Sequence, residues 1–116
     1  MKVTIVYDNT VYRKDLQADW GFSALVEVEN IPKILFDTGA DGKILLSNME
    51  KLEIDPTSID EVFISHFHLD HTGGLSEFLK VNQRVKIYVS SSLGLKNEII
   101  LKQPQKIHQN VFSTGE

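Results

Sequence analysis

The sequence predicts an α/β (α+β) fold, and three features carry that expectation. Short runs rich in β-branched and aromatic residues recur along the chain, each closed by turn-forming residues. Among them lies one stretch with the period of an amphipathic helix, between residues 42 and 52. The length of 116 residues, 41% of them hydrophobic, is enough for a single domain with its own core.

In chain order, Val3-Thr4-Ile5-Val6-Tyr7 reads as a first strand ended by Asp8-Asn9. The pattern then loosens through Asp19-Trp20-Gly21-Phe22, a loop in which Trp20 is expected to cover one edge of the core. Ser23 to Glu29 alternates as a half-buried strand, and Asn30-Ile31-Pro32 turns it into a hairpin with Lys33-Ile34-Leu35-Phe36. After Asp37-Thr38-Gly39, the Asp41 carboxylate is placed to cap a helix whose apolar face is Ile44, Leu45, Leu46, Met49 and Leu52. Glu61-Val62-Phe63-Ile64 is a strand, Leu75 to Leu79 a short helix, and Arg84 to Val89 another strand. Asn97 to Lys102 fits a helix or a strand equally well before Pro104 ends it, and Val111-Phe112 can begin a further strand.

Composition excludes several functions. Charged residues make up 24% of the chain, and the formal charge of −4, with Lys and Arg scattered, gives no electrostatic case for nucleic-acid binding. There is no cysteine, hence no disulfide and no thiolate ligand, which fits a reducing, cytoplasmic setting. No apolar run approaches the roughly 18 residues that span a bilayer, and the polar start lacks a signal-peptide pattern.

The chemistry concentrates in Ser65-His66-Phe67-His68-Leu69-Asp70-His71-Thr72-Gly73-Gly74, which holds three of the four histidines. Were the segment extended, His66, His68 and Asp70 would share one side, with Phe67 and Leu69 anchored in the core on the other. A glycine-permitted turn at Thr72-Gly73-Gly74 would return His71 to the row. Imidazole and carboxylate together suit zinc and other first-row metals. A metal of that kind lowers the pKa of bound water to about 7, so hydroxide becomes available at neutral pH without a strong general base. His108, isolated in sequence, is expected to be a surface or hydrogen-bonded residue.

The segment resembles the His-x-His-x-Asp-His signature of the metallo-β-lactamase superfamily, matched at His66, His68, Asp70 and His71. Val-Tyr-Asp-Asn, Asp-Trp-Gly-Phe-Ser and Leu-Phe-Asp-Thr-Gly-Ala extend the resemblance over essentially the whole chain. They are most similar to small hydrolases related to a dihydropterin ribofuranosylaminobenzene phosphate synthase. The resemblance implies half of an αββα sandwich, with a mixed sheet and helices on one face, formed by residues 1–116. It implies one or two divalent ions, zinc first and manganese or iron as alternatives, with His66 and His68 on one and Asp70 and His71 on the other. It also implies that Asp70 orients the nucleophilic water and that Asp37 supports the ligands from behind.

Members of that superfamily are about twice as long, with two similar halves. No residue after His71 matches the ligands of the second half, so the site is expected to be incomplete in one chain. A homodimer or a partner chain covering the exposed sheet face would complete it around a small-molecule substrate. The competing readings are a non-catalytic metal-binding half-domain or truncated product, and, more remotely, a dimeric aspartic protease of retroviral type using Asp37.

Overall fold

In the computed structural model, which describes residues 1–116, six strand segments form one mixed sheet in chain order. β1 (Lys2–Tyr7), β2 (Ser23–Glu27) and β3 (Ile34–Phe36) are antiparallel neighbours, and β4 (Glu61–Phe63), β5 (Lys86–Val89) and β6 (Glu98–Ile100) continue in parallel. The change of direction follows from the connections. Loops return the chain from β1 to β2 and from β2 to β3, whereas helical crossovers carry it from β3 to β4 and from β4 to β5. These crossovers contain α1 (Gly42–Lys51), and the pair α2 (Leu69–Thr72) and α3 (Leu75–Val81).

Strand register sets the core. Leu25, Leu35, Val62 and Ile87 are successive partners across β2, β3, β4 and β5, and all are buried. Leu45 and Met49 of α1 and Leu75 and Phe78 of α3 join them in one cluster, with Ile44, Leu46 and Leu52 packed at its margin. Asp41 caps α1 as expected, its carboxylate accepting from the N–H groups of Lys43 and Ile44 at 2.8 and 3.3 Å. Asn48 breaks the apolar face but is fully hydrogen-bonded: it donates to the carbonyls of Val6 and Gln17 and accepts from Gln17 N–H. It thereby ties the loop after β1 to the helix.

The other face carries the row Ile5, Ala24, Phe36, Phe63, Tyr88 and Ile99, again paired strand by strand. Phe63 and Tyr88 stack at 4.3 Å. A hairpin of β7 (Gln105–His108) and β8 (Val111–Ser113) returns to this face. There His108 Nε2 lies 2.6 Å from the buried Glu61 carboxylate, which also accepts from the Tyr88 hydroxyl at 3.1 Å. The remainder stays open, with Val3 and Ile5 about half exposed.

Several expectations are refined. The second strand ends at Glu27, before Glu29. The ambiguous Asn97 to Lys102 segment is a strand, β6, because pairing with β5 satisfies its backbone. Trp20 does not cover the core; it is 55% exposed. Its neighbours take the inward positions: Asp19 accepts a short hydrogen bond from Tyr7, and Phe22 N–H donates to the Asp70 carbonyl at 3.2 Å. No helix is long and apolar enough to cross a membrane.

Candidate metal centre

The site begins where β3 and β4 end side by side. Phe36 and Phe63 are register partners, and the next residue, Asp37, donates its N–H to the Phe63 carbonyl at 2.8 Å. Asp37 therefore lies beside Ser65 at the carboxyl ends of two parallel strands, where open α/β sheets present their ligand sites. Its φ of 57° is in the left-handed region, which aspartate enters more readily than most residues.

The Asp37 carboxylate is sealed from solvent and takes three donors. Oδ1 accepts from Ser65 N–H at 2.7 Å; Oδ2 accepts from the Ser65 hydroxyl at 2.6 Å and from His71 Nδ1 at 2.7 Å. Ionised carboxylates only accept, so His71 Nδ1 is the donor to Asp37, and in the neutral ring that tautomer leaves Nε2 as a lone pair. The His71 carbonyl is held as firmly, by Thr38 through its N–H and its hydroxyl, both at 2.8 Å. Asp37 also shows no surface that a second aspartate or a peptide could reach, which removes the geometry a shared protease dyad requires.

α2 then supplies Asp70 and His71. The helix is a single turn, held by the His68 carbonyl, which accepts from His71 N–H, Thr72 N–H and the Thr72 hydroxyl. One ligand atom each from His66, Asp70 and His71 falls within 4.8 Å of the others, and His71 Nε2 lies 3.3 Å from Asp70 Oδ2. The His66 and His71 rings are 4.2 Å apart, centroid to centroid. His68 is outside that trio, exposed, with its ring edge-on to His66 at 4.6 Å. Two imidazoles and a carboxylate converging, with His71 Nδ1 held by the buried Asp37 and His66 Nδ1 by the exposed Ser65 hydroxyl, are a donor set that fits a divalent first-row ion.

The path to this arrangement differs from the expected one. Asp70 reaches the cluster from a helix, and the alternation of an extended chain ends at His68. Phe67 and Leu69 are not anchors; they are 39% and 63% exposed. Gly73 and Gly74 have ordinary right-handed helical angles, so backbone freedom does not explain them. They are needed for space: a Cβ on Gly73 would strike the Ala40 carbonyl, and one on Gly74 the Thr38 carbonyl. The sequence reading passed over Ser65 and Thr38, which hold His66 and His71. The available signal was a hydroxyl residue directly before the first histidine, and another directly after Asp37.

A family model described as the metallo-beta-lactamase superfamily matches residues 21–111. The chain is 37% identical over 94 residues to the 7,8-dihydropterin-6-methyl-4-(beta-D-ribofuranosyl)-aminobenzene-5'-phosphate synthase of Methanocaldococcus jannaschii, covering 78% of this chain and 32% of that protein. A ribonuclease of Thermus thermophilus is 31% identical over 81 residues, covering 69% of this chain and 19% of the ribonuclease. Among solved structures, a mutant flavo di-iron protein from Thermotoga maritima superposes with a TM-score of 0.60 at 24% identity, over 75% of this chain and 25% of that one. The chain thus spans about a third or less of the length of these relatives.

Proposed function

For a chain that belongs to the metallo-beta-lactamase superfamily, we propose the role of a divalent-metal-dependent hydrolase acting on an ester, lactone or phosphodiester. The observation that carries this reading is the convergence of His66, Asp70 and His71 in front of a buried carboxylate that directs the His71 proton away from the cluster. The ribonuclease relative adds weight to the phosphodiester among the three bond types.

His66, Asp70 and His71, with His68 from the exposed side, would hold the metal. Zinc is the first candidate, and manganese or iron suit the same donors. When bound, such an ion supplies Lewis acidity, making a water more acidic and drawing charge from the bond under attack. The chain's own part is positional. Asp37 keeps Nε2 of His71 free of its proton, and Thr38 keeps the ring from drifting through the carbonyl. Asp70 is half-buried, and its carboxylate would accept a hydrogen of the attacking water, orient it and take up its proton.

Residues 1–116 would form one half-domain, working in the cytoplasm, with a second copy or a partner chain over the open part of the outer sheet face. The exposed Val3, Ile5 and Phe36 support such a cover. A second reading, a metal-binding half-domain without turnover, is favoured by the size of the cluster, in which three side chains, those of His66, Asp70 and His71, converge.

The test is hydrolysis of p-nitrophenyl ester and bis(p-nitrophenyl) phosphate probes by zinc- or manganese-loaded protein. Turnover that a chelator removes and that His68→Ala abolishes is expected. Turnover indifferent to both would refute the hydrolase, and metal binding without turnover would select the second reading.

A further inference from the structure

We propose that Ser65 is a positioning residue that passes the influence of Asp37 on to His66. The proposal rests on the metal-site reading above and adds a residue to it. The Ser65 hydroxyl lies 2.6 Å from Asp37 Oδ2 and 2.8 Å from His66 Nδ1. A hydroxyl has one proton and a carboxylate has none to give, so the Ser65 proton points at Asp37. Were it turned toward His66, oxygen lone pairs would face each other across 2.6 Å with no hydrogen between them. The Ser65 oxygen is then the acceptor for His66, whose ring proton sits on Nδ1 and whose Nε2 is left as a free lone pair.

Asp37 therefore sets two rings from one buried carboxylate. It orients His71 directly and His66 through one hydroxyl. The arrangement needs this relay because the two rings stand in different surroundings. His71 is largely covered and is held again through its carbonyl, but His66 is exposed, with the Ser65 hydroxyl as its ring's hydrogen-bond partner. Alanine at position 65 would remove that bond and keep the backbone N–H that anchors Asp37 Oδ1. Threonine would keep both.

The experiment is long-range 1H–15N correlation NMR of the histidine rings in metal-free protein, for the wild type, Ser65→Ala and Ser65→Thr. It is run at about pH 8, and the ring 15N shifts themselves distinguish the two neutral tautomers from the doubly protonated ring. Zinc affinity is measured in parallel by competition with a chromophoric chelator. In the wild type, His66 and His71 should both carry the proton on Nδ1. Ser65→Ala should move the His66 proton to Nε2, leave His71 unchanged and weaken zinc binding about tenfold, the low end for loss of a partner behind a ligand. Ser65→Thr should restore the wild-type pattern. A wild-type His66 protonated on Nε2, or a pattern that Ser65→Ala leaves unmoved, overturns the relay. A wild type with the expected tautomers and no zinc binding overturns the metal reading and leaves the relay standing.

Discussion

Replacing Asp37 by asparagine tests how the site is held, because it keeps the shape and changes one acceptor into a donor. Asparagine tolerates the φ of 57° at this position, so backbone strain is not added. Its carbonyl oxygen must stay where Oδ1 accepts from Ser65 N–H, since that donor belongs to the backbone and cannot turn. The amide nitrogen then takes the place of Oδ2, where it meets two groups that were donating, Ser65 Oγ and His71 Nδ1. Both can adapt. The serine hydroxyl swings its proton to His66, and His71 moves its own to Nε2, so each ring now presents N–H where a lone pair had been.

Each loss of a partner behind a ligand costs about 10- to 100-fold in metal affinity, so two rings together predict a loss of at least about 100-fold, or roughly 3 kcal/mol. The metal-free fold should lose less, roughly 1–3 kcal/mol, as charge-assisted bonds become neutral ones. Zinc competition titration reads the first quantity, and thermal unfolding of the apo-protein reads the second. An Asp37→Asn protein that folds and binds zinc within about threefold of the wild type, well below the loss expected for such partners, would refute the assignment of Asp37 as the group that orients both rings.

Two further predictions address stability. Free zinc at about 100 times its dissociation constant should add about 2.7 kcal/mol, which for a chain of this length raises Tm by about 10 °C. A chelator should reverse the shift and His71→Ala should abolish it in a melting experiment; an identical shift in His71→Ala would place the metal elsewhere. The second concerns alkaline pH. Burial, and then the Glu61 carboxylate, push the Tyr88 hydroxyl up to about 12. The unfolded chain gives up this proton from about pH 10, whereas the folded chain holds it to about 12. The stabilisation is therefore complete below about pH 10 and is lost as pH rises through that interval. Urea midpoints measured across it should fall less steeply in Tyr88→Phe than in the wild type. Tyr7, raised in the same direction by burial and by Asp19, keeps part of the slope in the variant. Equal slopes would show that Tyr88 ionises alike in both states.

What the sequence made legible divides along the length scale of the interactions. The Asp41 cap and the Leu45 and Met49 stripe depend on neighbours two to four residues away, and a reader of the chain can count those. The ligand types were visible as residue identities. The conformation of Leu69 to Thr72 was hidden, because one helical turn is too short to show a period. Distant partners fix it, with Phe22 on the Asp70 carbonyl and Thr38 on that of His71. Trp20 was misjudged for the same reason: an aromatic residue suggests burial until its neighbours are found to have taken the inward positions. Gly73 and Gly74 looked like turn residues, and only the carbonyls of Ala40 and Thr38 lying over them reveal that the missing Cβ matters.

That division bears on where the site can be damaged. The candidate ligands sit on an exposed to half-buried segment, yet their placement is taken from the end of β3, a three-residue strand in which Ile34 and Leu35 are buried. Asp37 fixes the His71 ring, Thr38 fixes its carbonyl, and Ser65 carries the Asp37 contact to His66. β3 in turn is located by Leu35, fully buried between Leu25 and Val62. A slip of one residue between β3 and β4 would exchange the faces of every side chain and separate Asp37 from Ser65. The pairing that buries Leu35 against Val62 is thus the pairing that brings Asp37 to Ser65. A core substitution that loosens β3 should consequently weaken metal binding before the chain unfolds, although no ligand has been touched.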